Sequence, residues 1–189
     1  MVRRGASHNP VSVEALANSL SFGVNHSRFE AAWAQLGTIL GFTSGRPEEE
    51  LGKGPDGLWA MAENHYLLAE IKNEVELDRT EIHQSEAEQM SNSANWFEKE
   101  YGKETPVVLL MVHPARHLAN SAYPPVPTVV MTPKKLDELD VRLRAFAAAL
   151  SAKAPEAWTT LEVGRLLASH QLDAASVRSS YCVPTKRRT

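Results

Sequence analysis

The spacing of apolar residues along the chain predicts three long helices. The first spans 27–40, where apolar side chains recur every three or four residues until Gly41 ends the run. Its apolar positions are Phe29, Ala32, Trp33, Leu36, Ile39 and Leu40. A longer amphipathic helix is predicted over 79–101, and a third begins at Thr132 and Pro133, which are typical capping and first-turn residues.

Shorter apolar runs predict the strands. Residues 58–61 and 66–72 flank a short polar connection and indicate a β-hairpin. The continuous apolar run 107–112 is typical of a strand buried on both faces, so we expect it at the centre of the sheet. Residues 128–131 predict another strand, and 43–55 a loop with at most a short strand. The order of elements indicates an α/β fold with helices flanking a mixed sheet.

The length of 189 residues, of which 43% are apolar, fits one globular domain with a substantial core. We expect the polar residues 1–26 to form a loosely packed N-terminal lead-in. Residues 27–150 form the predicted core. Residues 151–189 form a C-terminal helical extension that ends in a basic tail.

Charge and cysteine content limit the partners and the compartment. The net charge of −3 argues against a protein held to nucleic acid mainly by counterion release. Short basic groups at 134–135, 142–144 and 186–188 are either solvated faces or local nucleic-acid contacts. No apolar run reaches the roughly eighteen residues of a membrane span, and Cys182 has no partner for an internal disulfide. We therefore expect a cytoplasmic protein without a membrane partner.

The candidate chemistry lies on the predicted hairpin. Glu70 and Lys72 are two residues apart on one strand, so their side chains project from the same face. If the turn is centred on Glu63, antiparallel partners have residue numbers that sum to 126, which places Asp56 opposite Glu70. Opposed residues have Cβ atoms roughly 5 Å apart, where two like charges destabilise a hairpin unless a cation lies between them.

A divalent cation would relieve this repulsion between Asp56 and Glu70. Carboxylate oxygens are the hard ligands that Mg²⁺ prefers. The ion could polarise a phosphoryl oxygen, while Lys72 offsets the charge that develops on phosphorus-bound oxygens. The competing interpretation is that Pro-Asp-Gly is an ordinary turn and that the alternating Glu and Lys form the solvated face of an edge strand. The combination of both fragments favours a site.

These residues resemble the two-part motif of the PD-(D/E)XK nucleases. Pro55-Asp56 and Glu70-Ile71-Lys72 match the motif, and the predicted elements resemble the family's restriction-endonuclease-like core of order α-β-β-β-α-β. The resemblance spans about 27–150. Gly-Pro-Asp-Gly-Leu-Trp at 54–59, Glu-Gln-Met at 88–90 and Trp-Phe at 96–97 are also similar to the nuclease-type domain at the end of some bacterial helicase-like proteins.

The resemblance implies a metal-dependent endonuclease in a defence, repair or helicase-associated setting. Asp56 and Glu70 would bind Mg²⁺, for which Mn²⁺ can substitute, and Lys72 would be the catalytic lysine. The implied partners are nucleic acid, with DNA favoured, and a helicase or other motor protein. Cutting both strands of a duplex would favour a homodimer. The alternative is a noncatalytic module that retains the fold and binds nucleic acid or a protein partner.

Two further residues are candidates for the catalytic set. Glu30 lies where many members of the resembled family carry an acid that supports the metal, but it could equally close a capping box with Ser27. Gln89 could contact substrate phosphate or a metal-bound water, or it is an exposed helical glutamine. We expect structural roles for three histidines and core positions for three tryptophans. These residues are His83, His113, His117, Trp33, Trp59 and Trp96.

Overall fold

The computed structural model describes residues 10–62 and 65–187 of the chain. Its strands are β1 (Thr43–Gly45), β2 (Gly57–Ala62), β3 (His65–Ile71), β4 (Glu81–Ile82), β5 (Val107–Val112), β6 (His117–Leu118), β7 (Thr128–Met131), β8 (Val183–Pro184) and β9 (Lys186–Arg187). Its α-helices are α1 (Pro10–Ala17), α2 (His26–Ile39), α3 (Pro47–Leu51), α4 (Gln84–Tyr101), α5 (Pro133–Leu150), α6 (Thr160–Ser169) and α7 (Ala174–Ser180).

The main sheet is mixed, as the order of elements predicts. Its six strands follow the order β1-β2-β3-β5-β7-β8. The β3–β5 and β5–β7 pairs are parallel, and the other pairs are antiparallel. The prediction that the apolar run 107–112 lies at the centre is confirmed, because β5 pairs on both sides and Leu110, Met111 and Val112 are fully buried.

The predicted register of the hairpin is also confirmed. Gly57 pairs with Ala69, and Trp59 with Leu67, so the partners have residue numbers that sum to 126. The register shifts beyond Ala60, next to the turn. Residues 63 and 64, where the turn was expected, lie outside the described residues.

Helices cover both faces of this sheet, and each face has its own hydrophobic core. On one face, α1, α2 and α5 pack over β2, β3 and β5; Trp33, Leu36 and Phe146 are among the fully buried residues there. On the other face, α4 contributes Met90 and Phe97 to a second core. The fold is therefore a mixed α/β fold with helices on both faces of the sheet. Trp33 and Trp59 are buried as predicted, and Trp96 packs against the second core.

The described segments near both ends of the chain are more closely packed than the sequence pattern predicts. The loosely packed lead-in is wrong for residues 13–20, because Val13, Leu16 and Leu20 are buried in the first core. These apolar residues lie on and directly after α1, which packs against α5. The C-terminal extension likewise adds β8 to the edge of the main sheet.

A small second sheet, of order β4-β6-β9, was not predicted. Its strand β4 occupies residues that were predicted to be the start of the second long helix, so α4 begins at Gln84 and not at residue 79. Its third strand contains Lys186 and Arg187, which were expected in a fading tail; residues 188 and 189 lie outside the described residues. None of the helices in the described part of the chain is long and apolar enough to cross a membrane.

Candidate active site

The hairpin brings Asp56 and Glu70 to the same edge of the sheet. Asp56 directly precedes β2, and Glu70 is the residue before the end of β3. Both carboxylates are buried, with 4% of each residue exposed. The Ile71 N–H donates a hydrogen bond of 2.6 Å to Asp56 Oδ2, which ties the aspartate to the end of the neighbouring strand.

Lys72 completes the cluster that the sequence predicts. Its Nζ lies 3.4 Å from Glu70 Oε2 and 3.9 Å from Asp56 Oδ2. The Lys72 backbone N–H donates to Val112 O at 2.8 Å, so the lysine continues the β3–β5 pairing. One ammonium group therefore contacts two buried carboxylates.

Ser93 fixes the orientation of Glu70 from α4. Its Oγ donates a hydrogen bond of 2.6 Å to Glu70 Oε1. Ser93 is buried on α4, three residues after Met90 and four before Phe97. Ser93 was not among the predicted site residues. The available signal was a small polar residue on the apolar stripe of an amphipathic helix.

Burial and mutual repulsion disfavour the charged forms of these acids. Burial raises the pKa of Asp56, and the nearby Glu70 charge raises it further. Burial also raises the pKa of Glu70, against the opposing effects of Lys72 and the Ser93 hydrogen bond. The lysine therefore compensates the two carboxylates only in part.

Glu48 adds a third carboxyl group, which the sequence analysis did not identify. It lies on α3, and a hydrogen bond with Asp56 is the main cause that raises the pKa of Glu48. The Glu48 N–H donates to Pro55 O at 3.2 Å, which holds the start of α3 beside the loop that carries Asp56. Three acids therefore converge near a single lysine.

Glu30 joins this cluster from α2. One of its oxygens lies 2.7 Å from His26 Nε2, and the other forms an ion pair with Arg46. The capping box considered for Ser27 and Glu30 is wrong, because Asn25 is the N-cap residue and its side chain accepts from the Arg28 N–H. The Glu30 carboxylate is therefore held by His26 and Arg46 and not by the backbone of Ser27.

His26, Glu30 and Asp56 form a set of potential metal ligands. One ligand atom from each lies within 4.8 Å of the others. His26 was not among the predicted site residues, although a histidine four residues before a glutamate on one helix places both side chains on the same face. Asp56 lies in this set and also beside Glu70 and Lys72, so it is the residue shared by the two groups.

Two glycines allow α2 to approach the hairpin closely. A Cβ at Gly57 would lie 2.7 Å from Trp33 Cδ1, and one at Gly37 would lie 2.5 Å from Trp59 Nε1. The Trp33 and Trp59 rings stack with centroids 4.3 Å apart. This packing between α2 and β2 brings the helix that carries Glu30 to the strand that follows Asp56.

A cleft of about 530 Å³ opens beside the cluster. It is lined by His26, Ile71, Lys72, Glu74, Val75, Glu76 and Arg79. Asp56 and Glu70 are not among its lining residues, but Lys72, which contacts both, is one of them. A ligand in the cleft would therefore meet side chains that touch the acidic cluster.

Gln89 is the one predicted site residue that stays apart. It is exposed on α4, and in the described part of the chain no hydrogen bond connects it to Asp56 or Glu70. His83 precedes α4 as its N-cap residue, and His113 is fully buried with Nε2 3.4 Å from Glu86. His117 lies in β6. Of the three, His113 is the one that is fully buried.

A comparison with protein-family models finds no match to this chain, and neither the curated proteins nor the solved structures include one that matches it significantly.

Proposed function

We propose that this protein is a metal-dependent nuclease that hydrolyses phosphodiester bonds in nucleic acid, with DNA as the favoured substrate. The observation that carries the proposal is the contact of Lys72 Nζ with both Glu70 and Asp56, at 3.4 and 3.9 Å, beside an open cleft. The mixed sheet flanked by helices supports a restriction-endonuclease-like fold as part of this proposal.

The donor set fits a hard divalent cation such as Mg²⁺ or Mn²⁺. Asp56 and Glu70 would hold the ion, with Glu30 and His26 close enough to Asp56 to contribute. Carboxylate oxygens suit both Mg²⁺ and Mn²⁺, so Mn²⁺ would be a good substitute. A bound ion would supply Lewis-acid polarisation of a phosphoryl oxygen.

The protein's own groups would perform the remaining tasks. Lys72 is a donor at the cleft wall and would stabilise negative charge on the non-bridging phosphate oxygens. Ser93 holds Glu70 in one orientation through its 2.6 Å hydrogen bond, and the Ile71 N–H does the same for Asp56. In the overall hydrolysis, water adds to phosphorus, one P–O bond breaks, and the released oxygen takes the proton.

A cleavage assay tests the proposal directly. Purified protein is incubated with supercoiled plasmid, linear duplex, single-stranded DNA and RNA, in Mg²⁺, in Mn²⁺ and in EDTA. We expect cleavage of at least one substrate that EDTA abolishes. Asp56→Asn, Glu70→Gln and Lys72→Met should each reduce the rate by roughly 100-fold or more.

Glu104→Gln and Lys103→Met are matched controls, because both residues are exposed in the turn after α4. They should cleave at the wild-type rate. Cleavage that survives in all three site variants would place the activity elsewhere. Metal-dependent binding of nucleic acid without cleavage would favour the noncatalytic binding module instead.

A further inference from the structure

We propose that Arg79 is a substrate-binding residue that holds a backbone phosphate of the nucleic acid in the cleft. The proposal rests on the proposed function for the identity of the ligand. It rests on separate residues, however, because Arg79 does not belong to the carboxylate cluster. Arg79 and Lys72 line the same cleft, so a polyanion there can contact two basic side chains.

The guanidinium of Arg79 is held from one side. Its Nη1 donates to His83 Nδ1 at 3.1 Å and lies 3.6 Å from Glu86 Oε1. Its backbone N–H donates to Glu76 O at 3.0 Å, which closes the turn before β4. Both the main chain and one end of the side chain are therefore fixed.

The other side of the guanidinium is available for a ligand. Across residues 10–62 and 65–187, no hydrogen bond is made by Arg79 Nε or Nη2, and the side chain is 31% exposed. An arginine offers five N–H donors in a rigid fork that matches two oxygens of one phosphate. The Nε and Nη2 edge is the pair of donors that would bind a phosphate in this way.

The group that holds Arg79 is itself well fixed. Glu86 is buried, and its Oε2 accepts from the His83 N–H at 2.6 Å. Its Oε1 lies 3.4 Å from Nε2 of the buried His113. Because Glu86 is anchored to both the helix start and the end of β5, it is a positioning residue that orients Arg79 before any ligand binds.

The charges around the cleft indicate where a polyanion would lie. Glu74 and Glu76 also line the cleft and would repel phosphate. Glu74 accepts from the His26 N–H at 2.8 Å, at the start of α2. The phosphates would therefore be repelled by these glutamates and attracted to Lys72 and Arg79. A free phosphate or a short nucleotide would have fewer contacts than a strand that reaches both cations.

Binding of a fluorescent DNA oligonucleotide in EDTA tests the inference without requiring cleavage. We expect Arg79→Gln to weaken binding roughly tenfold and to lower the slope of log affinity against log salt by about one. Arg165→Gln is the matched control, because Arg165 is exposed on α6 away from the cleft. It should bind like wild type. The rise in melting temperature on adding Mg²⁺ should persist in Arg79→Gln.

Arg79→Lys provides a second variant, because it retains a charge near Glu86 but lacks the planar fork. It should bind the oligonucleotide at least a few-fold more weakly than wild type with an unchanged melting temperature. Equal binding by Arg79→Lys, Arg79→Gln and wild type would overturn the inference, as would a wild-type protein that does not bind DNA in EDTA. If binding depends on Arg79 but the protein cleaves no substrate, the phosphate site at Arg79 is supported and the nuclease activity is contradicted.

Discussion

Glu70 and Glu86 are both buried glutamates near the same edge of the sheet, yet their environments shift their pKa values in opposite directions. Their exposed fractions are 4% and 8%. Burial raises the pKa of Glu70, and Lys72 and Ser93 oppose the shift without reversing it. Burial also acts to raise the pKa of Glu86, but hydrogen bonds from His113 and the His83 N–H lower it below the ordinary value.

The difference lies in the balance of charges around each carboxylate. Glu70 shares one lysine with Asp56 and also feels the charge of Glu48. Glu86 is the acid that accepts from the His83 N–H and pairs with Arg79. A buried acid with sufficient partners stabilises the fold. A buried acid with too few cations is suited to bind one.

The largest expected effect concerns metal binding. Mg²⁺ at roughly 100 times its Kd adds about 2.7 kcal/mol to the free energy of unfolding, and we expect Glu70→Gln to lose most of that increase. Glu86→Gln should retain it, because Glu86 lies outside the ligand set. The measurement is the melting temperature with and without Mg²⁺. An equal response of the two variants would remove the functional distinction between the glutamates.

A smaller effect is expected on the stability of the metal-free protein. In EDTA at neutral pH, Glu86→Gln should lower the free energy of unfolding by about 1–3 kcal/mol, because it weakens charge-assisted hydrogen bonds. Glu70→Gln should change it by less than about 1 kcal/mol, or raise it, because it removes a poorly compensated buried charge. Urea denaturation measures both values, with Glu104→Gln as the exposed control. A greater loss for Glu70→Gln would contradict the comparison.

The smallest effect is the dependence of these differences on pH. The raised pKa of Glu70 means that its stabilising contribution is present below the ordinary value of 4.5 and is lost as pH rises through the folded-state pKa. The lowered pKa of Glu86 gives a contribution that is present above 4.5 and is lost as pH falls through the folded-state pKa.

Melting temperatures in EDTA across the acidic range check this prediction. The melting temperature of Glu70→Gln, relative to that of wild type, should rise as the pH rises towards neutral. The penalty of Glu86→Gln should shrink as pH falls below 4.5. Parallel pH profiles for the two variants would mean that the two carboxylates have similar environments.

The sequence alone was sufficient for the centre of the sheet and for the hairpin. Alternation places Glu70 and Lys72 on one strand face, and a short turn allows few registers, so Asp56 could be paired with Glu70 from residue numbers alone. The apolar run 107–112 had no polar face to expose and was therefore a central strand. These conclusions depend on neighbours in the chain or on a single turn.

The sequence did not reveal the partners that come from distant segments. His26, Glu48 and Ser93 lie on three different helices, and no local pattern indicates which of them meets the hairpin. The apolar positions of α1 were visible, but only the presence of α5 beside them decides that they are buried.

Sequence pattern thus determined which residues could share a strand face and which segment had to be central, because side-chain direction alternates strictly along a strand. Only the tertiary structure decided that Glu30 reaches Asp56 and that Glu86 holds Arg79. Those contacts depend on how closely helices pack against the sheet. For α2, Gly37 and Gly57 permit this approach by leaving room for two tryptophan rings. Packing of this kind brings together residues that are far apart in the chain, and local periodicity does not predict such contacts.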